Sequence, residues 1–331
     1  MMTWGDKIKA ASAMAKVRFL GRQIPLFLSW PITNRCNYRC SYCDRPNQVD
    51  TEVSTERALE IVDEFAEMGT QFVFLSGGEP LVRKDAGLII ERCRQKRIFV
   101  CLTTNGALYL KRKPEIGRVD MLKISLDGPE SVHDAYRAPG SFAEVMAVLA
   151  DARKDRIPVV LNPVVSTASL PHVDEVIRIA TEYGARIKFQ PINHEPAGNK
   201  DIDTLMLDST QMRALSGRLA HLRRSSGAIV NSRAGIRYLA ALPGGKDIRC
   251  FAGRLFAYLM PNGNIFPCNK REELAAPSSC LARSVRDAMR DVPRVTCRTC
   301  WCTSDAELNL MMRFDPVEAI ELAWRAVRAG V

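Results

Sequence analysis

The sequence predicts an α/β fold: a partial (β/α)6 barrel followed by a small cysteine-rich C-terminal domain. Three observations carry this. Short apolar runs alternate with helix-period stretches six times before residue 193. Helix-length connections between strands imply parallel neighbours, because a parallel partner cannot be reached by a tight turn. The alternation then stops after Asn193, ahead of a segment that holds six of the eleven cysteines. Six repeats are too few to close an eight-stranded barrel, so the sheet is expected to stay open, with functional residues at the C-terminal ends of its strands.

The elements follow from periodicity. Pro25 to Thr33 reads as a strand. Thr55 to Met68 reads as a helix with Ala58, Ile61, Val62 and Phe65 on one face and Gly69 ending it. Gln71 to Leu75, Phe99 to Thr103, Met121 to Leu126, Val159 to Val165 and Arg186 to Gln190 read as strands, and Asp85 to Gln95 and Val173 to Tyr183 as helices. Ser141 followed by Glu144 predicts a capping box at the start of another helix. Past the loop-like residues 194–208, Ser209 to Arg224 and Ser232 to Leu242 look helical. Asn262-Gly263 between Arg254–Met260 and Asn264–Pro267 predicts a hairpin. Asp315 to Ala329 reads as a closing helix. The expected division is an N-terminal amphipathic segment over 1–24, the partial barrel over 25–200, and a helical linker with the cysteine-rich domain over 201–331.

Composition bounds the class. The chain has 331 residues, 47% of them hydrophobic and 25% charged, as in globular proteins that bury a real core. No apolar stretch is long enough to span a membrane and no secretory signal is visible. An odd number of cysteines without an export signal argues against a disulfide framework and for metal-bound thiolates in a reducing cytoplasm. The formal charge of +10 is either a solvated basic surface or a preference for an anionic substrate.

Two motifs carry chemistry. Cys36, Cys40 and Cys43 follow the first strand with C-x3-C-x2-C spacing. Three thiolates in eight residues can wrap one side of a cubane cluster, leaving one iron open for chemistry; a zinc site would want a fourth ligand. Ser76-Gly77-Gly78-Glu79-Pro80 follows the second strand, with glycines that let a backbone approach a ligand closely. The two motifs together resemble the radical S-adenosylmethionine (SAM) superfamily.

The resemblance implies a [4Fe–4S] cluster on Cys36, Cys40 and Cys43 that binds SAM through its open iron. It implies reductive cleavage of SAM to a 5′-deoxyadenosyl radical that abstracts a substrate hydrogen, with electrons from an external donor such as flavodoxin or ferredoxin. The Gly77, Gly78, Glu79 and Pro80 segment would hold the SAM amino group, Glu79 receiving the ammonium. Thr104, Asn105, Ser125, Asn162 and Gln190, at or near the ends of later strands, would contact SAM or substrate, with Tyr42 near the adenine. Turn chemistry and strand-end capping are the plainer readings of these positions.

Cys250, Gly263 and Cys268 stand in a C-x12-G-x4-C segment, followed by Cys297, Cys300 and Cys302. This resembles the C-terminal extension of the SPASM and twitch subfamilies and implies one auxiliary [4Fe–4S] cluster on Cys250, Cys268, Cys297 and Cys300, with Cys302 able to replace one of them. Structural zinc is the rival reading. A free Cys302 or Cys280 facing the substrate would be a hydrogen-atom donor, as in radical epimerases. Cys93 and Cys101 read as core residues.

Before the first strand, Trp4, Ile8, Ala11, Ala15 and Phe19 share one side of a helical wheel with Lys7, Lys9 and Lys16 on its flanks or beyond. Either that face packs on the barrel, or it lies on a membrane surface or meets a lipid-linked substrate. The expected function is a cytoplasmic, or membrane-peripheral, biosynthetic oxidoreductase on a small-molecule or peptide substrate, with the auxiliary cluster assisting oxidation. A redox-neutral epimerase or rearrangement enzyme comes second. A peptide-modifying maturase comes third, because the N-terminal segment looks too short for a peptide-recognition domain. A non-catalytic metal-bound nucleic-acid binder is the alternative of another class, and no basic-aromatic groove pattern supports it.

Overall fold

The computed structural model describes residues 3–48, 51–193, 202–242, 244, 247–269 and 276–313. The predicted helix from Asp315 to Ala329 and most of the loop after Asn193 lie outside them. One mixed sheet organises the chain, in the strand order β11-β10-β9-β1-β2-β3-β4-β5-β7. Its parallel part runs β1 (Phe27–Thr33), β2 (Phe72–Gly77), β3 (Phe99–Thr104), β4 (Met121–Ile124), β5 (Val159–Leu161) and β7 (Arg186–Ile187).

The last two predicted strands are each split. β6 (Val164–Val165) and β8 (Gln190–Pro191) pair with one another as a separate two-stranded ladder. Pro163 interrupts the first run because it has no N–H to give to a ladder. At the second break Asn231 replaces the ladder, accepting from the Phe189 N–H at 2.9 Å and donating to the Phe189 carbonyl at 3.1 Å.

Helices cover the outer face. α2 (Thr55–Glu67) starts on Ser54, whose hydroxyl accepts from the Arg57 N–H. It buries Ala58, Ile61, Val62 and Phe65, as the periodicity predicts. α3 (Ala86–Gln95), α4 (Tyr109–Ile116), α5 (Glu130–Tyr136), α6 (Ser141–Lys154) and α7 (Val173–Glu182) follow their strands. Alternation along the strands divides the two faces. Val73, Leu75, Leu102, Leu122, Ile124, Leu161 and Ile187 are buried in the main core, whereas Ser76, Thr103, Lys123, Ser125, Asn162, Lys188 and Gln190 are only half-buried and line the concave side.

The predicted capping box at Ser141 does not form. The N-cap is Gly140, in the left-handed region at φ 81°. Ser141 donates to Asp134 at 2.9 Å instead, and Glu144 accepts from the Tyr38 hydroxyl. A tertiary partner outcompetes the local one.

The C-terminal hairpin forms as the Asn-Gly turn predicts, with β9 (Phe256–Leu259) antiparallel to β10 (Asn264–Phe266) and Gly263 at φ 80°. It joins the barrel sheet, because β9 pairs in parallel with β1. β11 (Ser278–Ser279) adds the far edge. Around it stand α8 (Ile202–Leu205), α9 (Ser209–Ser225), α10 (Arg233–Leu239), α11 (Val285–Asp291) and α12 (Thr303–Met311).

The N-terminal helix α1 (Trp4–Leu20) is closed at its start by a capping box between Thr3 and Asp6. It packs with the side opposite to the one the wheel singled out. Ala13 and Val17 are buried, with Ala10 and Met14 partly covered, in a cluster with Leu26, Phe27, Phe251 and Met312. Trp4, Ile8 and Phe19 are 79%, 66% and 67% exposed.

Arg83 fixes where the Cys36 strand ends. Its buried guanidinium donates to the Ile32 carbonyl at 3.0 Å and the Val53 carbonyl at 2.9 Å and pairs with Asp85. Arg83→Met leaves two buried carbonyls and a carboxylate without their donor. It is expected to lower stability by about 2–4 kcal/mol, read as a shifted urea midpoint at unchanged slope. A shift within ~0.5 kcal/mol of wild type would show that water replaces the guanidinium.

Candidate active site

The loop after β1 carries Cys36, Cys40 and Cys43, all half-buried. It is held from several directions. The Tyr38 N–H donates to Cys36 Sγ at 3.4 Å, and the Cys43 N–H to the Cys40 carbonyl at 3.0 Å. The Ser41 N–H donates to the Tyr136 carbonyl at 2.9 Å, and the Asn105 side-chain amide to Asn37 Oδ1 at 2.9 Å. At its root, Arg35 pairs with Glu52 at 2.8 Å, and Glu52 also takes the Thr33 hydroxyl.

The end of β2 lies directly against this root. The Gly78 N–H donates to the Thr33 carbonyl and the Glu79 N–H to the Arg35 carbonyl, both at 2.9 Å. A Cβ on Gly77 would sit 2.2 Å from the Thr33 oxygen, and one on Gly78 would sit 2.4 Å from the Arg35 oxygen. Gly77 also has φ 150°. Both glycines are therefore required by the approach of one backbone to another.

Glu79 lies at the junction of the ends of β2 and β3. Its side chain is fully buried. The carboxylate accepts from the Leu81 N–H at 3.1 Å, the Asn105 N–H at 2.8 Å and the Thr104 hydroxyl at 3.0 Å. Burial pushes its carboxyl up to about 7, although these donors pull the other way. Glu79 braces the ends of β2 and β3, and Thr104 and Asn105 are its partners; Pro80 opens the short turn Pro80–Val82 behind it.

A second knot lies on the other side of the loop. The Tyr42 hydroxyl donates to Asp127 at 2.8 Å, and Arg137 pairs with Asp127 at 2.7 Å while stacking 5.6 Å from the Tyr42 ring. Asp127 also accepts from the Val164 N–H at 3.0 Å. Burial alone would raise the Asp127 carboxyl, but the Arg137 guanidinium holds it below its usual value. Burial lowers His133 to about 4. Its Nδ1 takes the Asp127 N–H, so the proton of the neutral ring sits on Nε2, which finds no partner among the described residues. Asp127, His133 and Arg137 were not singled out from the sequence, and Glu144 was read only as a capping residue. A carboxylate immediately after an apolar strand, as in Leu126-Asp127-Gly128, was the available signal.

Ser125 and Asn162 stand half-buried on the concave face, their N–H groups bonded to Thr104 and Ile124 carbonyls. Gln190 is taken up elsewhere: its Oε1 accepts from the N–H and hydroxyl of Thr303, both at 2.7 Å, and its Nε2 donates to the Trp301 carbonyl at 3.0 Å. It is a strut between the barrel and the C-terminal cysteines.

The C-terminal cysteines lie in one another's fields. Cys250 is hydrogen-bonded to Cys297 and lies in the field of Cys300, and Cys300 lies in the fields of Asp305, Cys302 and Cys268. The Cys300 N–H is fixed by the Tyr238 oxygen at 2.6 Å, and Cys250 Sγ accepts from Asn309 at 3.8 Å. Cys302 faces Asp305, Lys188 and Lys123 on the concave side. Cys280 does not face a substrate space. It is fully buried under the hairpin, its thiol donating to the Gly263 carbonyl at 3.1 Å and its own carbonyl held by Arg57. Cys93 and Cys101 are core residues, as expected.

Among the described residues no three Cys, His, Asp or Glu side chains converge on one point as they would around a single metal ion. The donor set of the first loop suits an iron–sulfur cluster: three thiols on one loop, no histidine, and a glycine cradle beside them. Burial pushes the Cys40 thiol up to about 11 and raises Cys36, so a bound metal centre must draw off these protons.

The Glu79 brace yields a pH test. Its folded value near 7 lies above the unfolded one near 4.5. The group's contribution to stability is therefore full below the unfolded value and fades as pH rises through 7. Urea titrations from pH 5 to 8 should show this loss in the wild type and a flatter profile in Glu79→Gln. Parallel profiles would mean that Glu79 is not buried as described. Glu79→Ala, which removes the brace altogether, should lower cluster retention along with SAM affinity.

Comparison with known proteins agrees with this geometry. Residues 30–185 match the Radical SAM superfamily model. The chain is 28% identical over 264 residues to the PqqA peptide cyclase of Granulibacter bethesdensis, covering 76% of this chain and 69% of that one. It is 28% identical to the mycofactocin maturase MftC of Mycolicibacterium smegmatis, covering 75% and 65%. It is 32% identical to the AdoMet-dependent heme synthase of Methanosarcina barkeri, covering 49% and 48%. The chain thus spans from about half to about seven-tenths of these relatives' lengths. Its fold is similar to that of Streptococcus suis SuiB bound to S-adenosylmethionine, with TM-score 0.69, 17% identity and coverage of 86% of this chain and 70% of that one. The cofactors of the superfamily are a [4Fe–4S] cluster and SAM. Its cysteine loop, its glycine cradle and its partial barrel thus belong to a Radical SAM domain over residues 30–185, in a chain similar to enzymes of the SPASM/twitch type.

Proposed function

We propose that this chain oxidatively modifies a peptide substrate, with Cys36, Cys40 and Cys43 holding the [4Fe–4S] cluster that binds SAM. The observation that carries the reading is the contact of the glycine cradle with the root of the cysteine loop. It brings backbone polar groups beside three thiols at the C-terminal mouth of an open barrel. Held by these three cysteines, the cluster would supply reductive cleavage of SAM and, through it, abstraction of a hydrogen atom from the substrate. The chain's own residues do the rest: Glu79, Thr104 and Asn105 hold the cradle rigid, Ser125 and Asn162 offer polar contacts inside the mouth, and the Tyr42–Asp127–Arg137 knot closes its other side against water.

Similarity to a peptide cyclase and a peptide maturase moves peptide modification ahead of the small-molecule reading. Cys250, Cys268, Cys297 and Cys300 form the thiol set for an auxiliary [4Fe–4S] cluster that accepts the second electron, within the proposed C-terminal domain over 201–331. A redox-neutral epimerisation is the second reading, favoured by Cys302 on the concave face. The electron donor would be an external flavodoxin or ferredoxin.

Anaerobic reconstitution should load about eight irons per chain, and about four after Cys36, Cys40 and Cys43 are all replaced by Ala, with loss of 5′-deoxyadenosine formation. A triple variant that still makes 5′-deoxyadenosine would sink the assignment. Product mass in deuterated water then separates the chemistries: a loss of about two daltons marks oxidation, and a gain of about one without oxidation marks epimerisation through a protein hydrogen donor.

The outward face of α1 supports a peripheral membrane contact. Trp4, Ile8 and Phe19 form an exposed apolar stripe. On the helical wheel Lys7 and Arg18 border one side of it and Lys9 and Lys16 the other. No helix among the described residues is long and apolar enough to cross a membrane. Co-sedimentation with anionic phospholipid vesicles is expected for the wild type and lost in Ile8→Glu/Phe19→Glu; equal binding by the two would refute the contact.

A further inference from the structure

The concave face of the sheet holds two lysines that the chemistry above leaves unused. Thr103, Lys123 and Val160 stand in register across β3, β4 and β5. Lys188 follows β7, its N–H bonded to the Leu161 carbonyl at 2.9 Å. Strand alternation turns both lysines away from the buried outer face, where Leu122, Ile124, Leu161 and Ile187 lie. They are half-buried and close enough to repel one another, so that burial, with Lys188 second, lowers Lys123. Among the described residues Lys123 has no carboxylate within ion-pair distance. Two desolvated ammonium groups facing each other without full compensation are costly to fold. Such an arrangement suits a site whose counter-charge arrives with a ligand.

The first turn of α12 closes this space. Lys188 Nζ donates to Ser304 Oγ at 3.1 Å, and Thr303 is tied to Gln190. Cys302 and Asp305 look onto the same two lysines. Asp305 is the carboxylate that shares their field, and burial pushes it up to about 6, so the charge of the two lysines is not fully met by the protein and a substrate carboxylate fits between them.

We propose that Lys123 and Lys188, with Ser304, form a subsite inside the barrel that binds a carboxylate of the peptide substrate and so fixes which residue meets the radical. The proposal rests on the peptide-modifying reading and deepens it. The carboxylate is either an Asp or Glu side chain or a chain terminus, and the two sources are distinguished by the probe. Cys302, which shares the space, then stands beside the bound substrate.

The test is calorimetric titration of the reconstituted, SAM-loaded protein under anaerobic conditions. N-acetyl-glutamate α-amide against N-acetyl-glutamine amide reads a side-chain carboxylate. N-acetyl-alanine against N-acetyl-alaninamide reads a terminal one. The acid of one pair is expected to bind roughly tenfold or more tightly than its amide, as for a charge-assisted hydrogen bond. Lys123→Gln and Lys188→Gln should each erase that preference, and Lys188→Arg should keep it. Iron content of each variant checks the fold. Equal binding of acid and amide in the wild type, no binding of any probe, or a preference that survives in Lys123→Gln/Lys188→Gln would overturn the subsite. Failure of the wild type to cleave SAM would instead strike the functional reading, and the titration does not depend on it.

Discussion

One buried carboxylate holds the site in register. Glu79 takes donors from Leu81, Thr104 and Asn105, so the ends of β2 and β3 cannot separate without stranding its oxygens. Asn105 in turn reaches Asn37 in the cysteine loop, and the Glu79 N–H reaches the Arg35 carbonyl at the root of that loop. The spacing between the thiols and the glycine cradle is therefore set by one connected hydrogen-bond network. Removing a member of such a network leaves buried groups unsatisfied, which costs more than the bond itself contributes.

The polarity of the barrel follows from strand alternation in an open sheet. The outer face must be apolar because helices cover it, and the main core is built from it. The inner face has no such cover over its C-terminal half. It carries Ser76, Thr103, Lys123, Ser125, Asn162, Lys188 and Gln190, all half-buried. Deeper in, Phe27, Phe72 and Phe74 join the cluster that also receives α1 and residues from the C-terminal region. An apolar floor beneath a polar mouth suits a reaction that must be shielded from stray hydrogen donors while still binding a polar substrate.

Most of the architecture was legible because periodicity reports burial directly. The strands and helices predicted for the first 193 residues stand within a few residues of their expected places, although α4 and α5 were not among them, and the Asn262-Gly263 hairpin is where its turn chemistry puts it. The capping box failed for a physical reason: Glu144 was read from local pattern, yet it is claimed by Tyr38, a group far away in sequence. The face of α1 was misread because the helix has two apolar sides, and the one made of small residues is the one that packs. Cys280 looked isolated in sequence and is isolated in space, buried where no substrate reaches it. The first loop stood out in the sequence because three thiols at fixed spacing have few other uses.

The same long-range claims explain how the C-terminal cysteines come to share a space with the barrel. β9 adds to the β1 edge of the sheet, the strand from which the first cysteine loop departs. At the opposite edge Gln190 grips Thr303 and Trp301, and Lys188 grips Ser304. The segment from Cys300 to Asp305 is thereby fastened across the open side of the barrel. Cys302 is turned toward Lys123 and Lys188, while Cys300 is fixed through its N–H by Tyr238 on the far side. The two cysteines remain coupled: Asp305 lies in the field of both thiols, and Cys300 Sγ donates to the Cys302 carbonyl at 3.5 Å. The Gln190–Thr303 tie at the start of the next helix therefore fastens the pair as one unit to the barrel.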